Sequence, residues 1–253
     1  MYLYDGIRNP LNDFDFFADS KKAKEDKFIW MRKNLQAHFF KLCSCAINVV
    51  QIQHDYLDGG KDSSSLDKNM FTVNSVEYFF IKVNTIFELC YQMYDYVDER
   101  VDKKKKFKRL NEDFEKYIND TGSDINLAWY QEINDIRNHI IHSGYGIKTF
   151  EKESRFLFQA YADGMQEKIL PKPEYSKSGS TLVYIDRYME FHIKIVHWYI
   201  EEFFKFVLHL IDSIVDESKL SSLDKELKNS GSCALWGVSG IDVLKRLNAA
   251  SSV

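Results

Sequence analysis

Three residues of different chemistry stand close together in the stretch Glu-Ile-Asn-Asp-Ile-Arg-Asn-His-Ile-Ile-His-Ser-Gly-Tyr over 132–145: Arg137, Asn138 and His142. Histidine changes charge near neutral pH and can take or give a proton, whereas arginine keeps its charge and presents a rigid fork of donors. RNA cleavage by its own 2′-hydroxyl needs both. One group must move a proton, and a permanent cation must hold the charge that gathers on the five-coordinate phosphorus. His142 suits the first role and Arg137 the second. The apolar residues Trp129, Ile133, Ile136 and Ile140 recur at helical spacing up to the motif, and Gly144 stands where a left-handed cap is expected. The spacing therefore predicts Arg137 and His142 in the last turns of one helix, their side chains roughly 140° apart. Two copies meeting across a two-fold axis could each complete a cleft with an arginine and a histidine from the pair, so the motif favours a homodimer.

At the end of a helix in an otherwise helical chain, Arg137-Asn138-x-x-x-His142 resembles the Arg-x4–6-His motif of the HEPN superfamily. The residue-by-residue match covers this motif, and the general plan extends over about residues 25 to 217. Members of that family are four- or five-helix bundles, commonly dimeric, and many are metal-independent endoribonucleases of toxin–antitoxin, abortive-infection and other defence systems. The resemblance implies that Arg137 and His142 are catalytic, that Asn138 positions them, and that no cofactor or metal takes part. It also brings RNA as substrate and an antitoxin or regulatory protein as a possible partner. One branch carries a modifiable tyrosine two residues after the histidine; here Tyr145 stands three residues after His142. Ser143 and Tyr145, beside the histidine, are candidate RNA contacts. The plainer reading is a structural one, because Arg and His complement the negative end of a helix dipole and need no substrate to be useful there. It leads to the alternative of a non-catalytic helical module that binds RNA or protein.

The elements that must position this motif are legible from the apolar pattern. At 253 residues with 45% hydrophobic and 15% aromatic composition, the chain can bury a substantial core, and only Pro10, Pro171 and Pro173 interrupt it. Phe28, Met31, Leu35, Phe39, Leu42, Ala46 and Val49 predict a helix over about 25–56; a polar loop is expected at 58–68. Val76, Phe79, Val83, Ile86, Cys90, Met93 and Val97 mark a second helix packed antiparallel on the first. Its polar stripe, Glu77, Asn84, Glu88 and Asp95, falls within about 20° of one direction. A solvated face is the plain expectation; the functional one is that Glu88 or Asp95 orients Arg137. Phe107, Leu110, Phe114 and Tyr117 mark a short helix ending near 121–124. A hairpin insert is expected within about 150–184, with strands at 155–162 and 165–170 and one more at 181–184, and a loop at 171–180. Residues 185–217 read as a helix apolar on most sides, central in the bundle or shared with a second subunit. Its His192, His197 and His209 suit packing.

The net charge is −4, which excludes a global basic coat and makes any RNA contact local. Lys103, Lys104, Lys105 and Lys106 form the one dense cationic run, either solvated or gripping phosphates. The opening residues carry Asp5, Asp13, Asp15 and Asp19 rather than a secretory pattern, and Cys43, Cys45, Cys90 and Cys233 lack disulfide or zinc spacing. The expectation is a cytoplasmic protein with no membrane contact, its cysteines thiols. Together these readings predict an all-α, HEPN-like antiparallel helical bundle with a small β-hairpin insert: one domain over 1–253, with core 25–217 and a helical appendage at 218–253.

Overall fold

The computed structural model describes residues 25–57, 65–98, 106–125, 128–143, 147–152, 155–159, 172–177 and 182–211. Among them are five helices and one small sheet: α1 (Asp26–Leu57), α2 (Ser65–Val97), α3 (Lys106–Thr121), α4 (Ala128–Ser143), β1 (Lys148–Lys152), β2 (Arg155–Gln159), β3 (Val183–Tyr184) and α5 (Ile185–Ile211). The fold is mostly helical. No helix among the described residues is long and apolar enough to cross a membrane. The expected appendage at 218–253 lies outside the described residues.

These residues fall into two compact units, and α1, α2 and α5 each give a segment to both. In the first unit, made from 26–37, 87–97, α3 and 197–211, the core is aromatic. Phe114 is 1% exposed, and its ring lies 5.2 Å from Phe206 and 5.5 Å from Tyr199. Offset and edge-on rings of this kind bury area and add quadrupole attraction. Tyr94, also fully buried, donates its hydroxyl to Asp113 at 2.5 Å, and Arg109 pairs with Asp98 at 3.1 Å. Helix α3 stops by a C-terminal cap: Gly122 takes φ of 69°, and Ser123 N–H donates to the Ile118 carbonyl. Only a residue without Cβ enters that conformation at little cost, and the bond satisfies a carbonyl the helix leaves over.

The second unit, from 38–57, 65–86, α4, the strands and 185–196, carries the motif helix. Phe80, Phe158, Tyr175 and Tyr188 form its aromatic centre, with Tyr188 5.0 Å from Tyr175 and 5.2 Å from Phe158. The sheet is antiparallel in the order β1-β2-β3, with Phe150 opposite Leu157 and Leu157 opposite Tyr184. Phe156, Leu157 and Phe158 are all buried; a strand covered on both faces loses the usual alternation. Gln53 ties three elements together: its Oε1 accepts the Phe156 N–H at 2.9 Å, and its Nε2 faces Asp186 at 3.4 Å. Asp186 also accepts from Arg155 at 2.6 Å and from the Arg187 N–H at 2.8 Å, so the start of α5 is held by a buried carboxylate with several donors.

Three expectations change. The hairpin joins β2 to β1 on its N-terminal side, at 148–152; the strand expected at 165–170 lies outside the described residues. Residues 65–68, expected in a loop, belong to α2. The loop expected at 171–180 carries Tyr175 into the core, where it is 0% exposed, and Ser176 bridges to Val183.

Candidate functional site

Helix α4 has 16 residues and ends just after His142. Ile133 and Ile136 are buried, and Glu132 shares their side of the helix at 8% exposure. Its Oε1 accepts the Tyr188 hydroxyl at 2.6 Å. Burial pushes the Tyr188 phenol well above its ordinary range, and the neighbouring Glu132 charge pushes the same way, so tyrosine stays the donor across the physiological range. Tyr188 packs against His192 with ring centroids 4.1 Å apart and the rings tilted by 38°, and His192 Nδ1 donates to the Tyr188 carbonyl at 2.9 Å, an oxygen that can only accept. Trp129 of α4 reaches the same histidine at 6.3 Å.

The other flank of α4 is held by Asn84 of α2. Its amide nitrogen donates to Tyr130 Oη at 3.1 Å and to Asn134 Oδ1 at 3.3 Å. Asn84 is 5% exposed, so this member of the expected solvated stripe is a buried link, because its face of α2 meets the motif helix and not water. Glu132 and Asn134 project about 160° apart on the helix. Helix α4 is thus attached on two sides by side-chain bonds, which fix rotation as well as position.

Within the motif, Arg137 and Asn138 are brought together directly: Arg137 NH1 donates to Asn138 Oδ1 at 2.9 Å. Arg137 is half-buried, with its Nε shielded from solvent, whereas His142 is exposed in the last turn. The two point in different directions, as their spacing requires. His139 is half-buried. Ser143 closes α4, and Tyr145 lies outside the described residues.

The orienting carboxylates expected on α2 are an exposed Glu88 and a half-buried Asp95, both in the first unit, while Arg137 is in the second. Of the lysine run, Lys103, Lys104 and Lys105 lie outside the described residues, and Lys106 opens α3. The next two cations already face acids: Lys108 lies 3.4 Å from Glu112, and Arg109 is bound to Asp98. A cavity of about 430 Å³ in the first unit is lined by Tyr94, Asp98, Asp113, Tyr117, Phe206 and His209 among others, none of them expected site residues. Cys43, Cys45 and Cys90 are buried thiols, and burial pushes Cys43 and Cys45 up to about 12.

Sequence reasoning missed Glu132, Asn84, Asn134 and Tyr188. One signal was present: Glu132 lies about 40° from Ile136 on the helix, a carboxylate on an apolar stripe, whereas Asn84 falls on the polar stripe of α2 and its burial is not signalled by the wheel. Against protein-family models, curated proteins and solved structures, the chain has no match.

Proposed function

We propose that this protein is a HEPN-like, metal-independent endoribonuclease that acts as a homodimer. The observation that carries the reading is the Arg137–Asn138 bond at 2.9 Å, one turn before an exposed His142 at the end of the same helix. Asn138 accepts one donor of the guanidinium and so helps to set the direction of the fork that meets the phosphate. His142 takes the proton of the RNA 2′-hydroxyl as that oxygen attacks the adjacent phosphorus. Arg137 holds the charge of the phosphorane, the P–O5′ bond breaks, and a proton returns to the departing O5′. The products are a 2′,3′-cyclic phosphate and a 5′-hydroxyl. The family resemblance adds a toxin–antitoxin or phage-defence setting, with an antitoxin or regulatory protein as a further partner.

The test is incubation of purified protein with mixed cellular RNA in EDTA, wild type beside His142→Ala and Arg137→Ala, with product ends mapped. Loss of a positioned acid or base costs about a hundredfold to ten-thousandfold in rate. Cleavage by wild type with cyclic-phosphate ends, lost in His142→Ala at unchanged melting temperature, is the expected result; equal cleavage by that variant removes the mechanism. The half-burial of Arg137 supports a second reading, a non-catalytic RNA- or protein-binding module in which the arginine caps the helix. RNA retention without cleavage selects it, as does a collapse of folding in Arg137→Ala.

A further inference from the structure

Several cations of this chain are spent on acids: Lys108 lies beside Glu112, Arg109 beside Asp98, Lys194 beside Glu190 and Lys205 beside Glu201 and Glu202. Around the start of α5 the cations lie on rings instead. Arg155 Cζ is 4.6 Å from the centroid of the Tyr184 ring, Arg187 Cζ is 5.2 Å from the same centroid, and Lys172 Nζ is 4.7 Å from that of Phe191. A carboxylate neutralises the cation it binds, whereas a ring holds it by its quadrupole and leaves the full charge and the N–H donors in place. Arg155 also pairs with Asp186; among the described residues, no carboxylate forms an ion pair with Arg187 or Lys172. The backbone sets these groups in one row within the second unit. Phe150 is opposite Leu157 and Leu157 opposite Tyr184, so Phe150 and Tyr184 share a face of the sheet, and Arg155, two residues before Leu157, shares it too. The opposite face is turned to the core, where the Phe158 ring lies 6.1 Å from Phe80. Tyr184 ends β3 directly before α5, on which Arg187 and Phe191 stand one turn apart, about 6 Å along the axis and about 40° around it. Phe150 is exposed, and Arg155, Tyr184, Arg187, Phe191 and Lys172 are half-buried, each with part of its surface open.

We propose that this row of alternating rings and cations is a docking surface for single-stranded RNA, separate from the Arg137–His142 motif; this rests on the reading above that RNA is the partner. A single strand offers phosphates together with unstacked bases, and a surface that interleaves cations with rings matches both. A duplex keeps its base faces stacked and offers the rings nothing, and an acidic peptide or lipid headgroup needs the cations alone. Arg187 and Lys172 meet phosphates. Phe150, the most open ring of the row, takes a base on its face, and the guanidinium plane of Arg187 offers a second stacking surface. The net charge of −4 makes the chain as a whole repel a polyanion, so a strand is held only where local cations are not already neutralised. The row supplies such a place, and its cations are oriented before the strand arrives.

The test follows a fluorescein-labelled uridine oligomer of about 15 nucleotides by anisotropy at several salt concentrations. It is bound to the full chain carrying His142→Ala, so that no strand is cut. The same strand paired with its adenosine complement, inorganic polyphosphate and phosphatidylserine vesicles are the comparison ligands. Adding Lys172→Gln and Arg187→Gln together removes two phosphate contacts. The slope of log affinity against log salt should fall by about 1.4, and binding at about 0.1 M salt should weaken roughly twentyfold. Lys172→Arg with Arg187→Lys keeps both charges and should keep the slope. Phe150→Ala should weaken the single strand about tenfold, with the slope and polyphosphate binding unchanged. If the double glutamine variant fails to fold, Arg187→Gln alone is read, with an expected slope change of about 0.7. An unchanged slope in the glutamine variants, a Phe150→Ala variant that binds the strand as before, equal affinity for strand and duplex, or retention of vesicles without RNA overturns the surface. Cleavage by chains that keep His142 is measured in parallel. Cleavage with an unchanged slope removes the surface and leaves the ribonuclease; the expected loss of binding without any cleavage by wild type leaves the surface and removes the ribonuclease. If RNA is neither bound nor cleaved, both fall together.

Discussion

Acidification tests the packing beneath α4 most directly. His192 is 1% exposed. Burial depresses its pKa from the ordinary 6.5 to about 4, outweighing the opposing bond to the Tyr188 carbonyl, and Lys172 adds a smaller push downward. Between those two values the unfolded chain binds a proton there and the folded chain does not. Unfolding is therefore favoured as pH falls from 6.5 to about 4, and above 6.5 the group is neutral in both states and adds no slope. The full gap corresponds to about 3 kcal/mol, of which about 2 kcal/mol is lost by about pH 5. Against a typical stability of about 5–15 kcal/mol this is a large share. His192→Phe keeps a ring among Tyr175, Tyr188 and Trp129 but cannot be protonated. Urea unfolding of both proteins, followed by circular dichroism at about pH 7.5 and about pH 5, should show the wild type losing about 2 kcal/mol more than the variant. His197, also depressed by burial, is present in both chains and cancels from the difference. Parallel losses in the two proteins would refute the assignment of a neutral, buried His192.

Tyr188→Phe removes the hydroxyl that reaches Glu132 and leaves that buried carboxylate with one donor fewer; the expected cost is about 1.5–3 kcal/mol, read from urea unfolding, and an unchanged stability would mean the bond contributes nothing. Phe114→Ala opens a void among Tyr199, Phe203 and Phe206 and should cost about 3–5 kcal/mol by the same measurement. Cys43, Cys45 and Cys90 should react with a thiol reagent at neutral pH only on unfolding, since burial holds all three as thiols; rapid labelling of any of them in the native protein, mapped by peptide mass, would contradict that burial.

The long helices were readable because their stripes are dense. Leu35, Phe39, Leu42, Ala46 and Val49 recur at three- and four-residue steps, and the structure buries each of them. Strand β1 was not, since Lys-Thr-Phe-Glu-Lys holds a single large apolar residue, Phe150, which is itself 41% exposed. Its structure comes from pairing with β2, and pairing is a property of two segments at once. Tyr175 was hidden for a related reason: prolines and serines around it read as loop, while its burial depends on Tyr188 and Phe191, which lie elsewhere in sequence. The motif itself was visible as residue types and spacing. What surrounds it was not, because a helical wheel gives the direction of Asn84 and Glu132 but not what stands opposite, and their partners lie 46 to 56 residues away.

The bond between Arg137 and Asn138 joins chain neighbours, and that locality matters for how the site tolerates change. A pair bridging two helices is distorted whenever repacking slides one past the other. This pair is carried on α4 as a single piece, so a core substitution that shifts the helix displaces the arginine fork without splaying it. Drift in the scaffold thus becomes an error of placement rather than of shape, which a second compensating shift can undo. Such a module can keep its internal geometry while the surrounding sequence diverges.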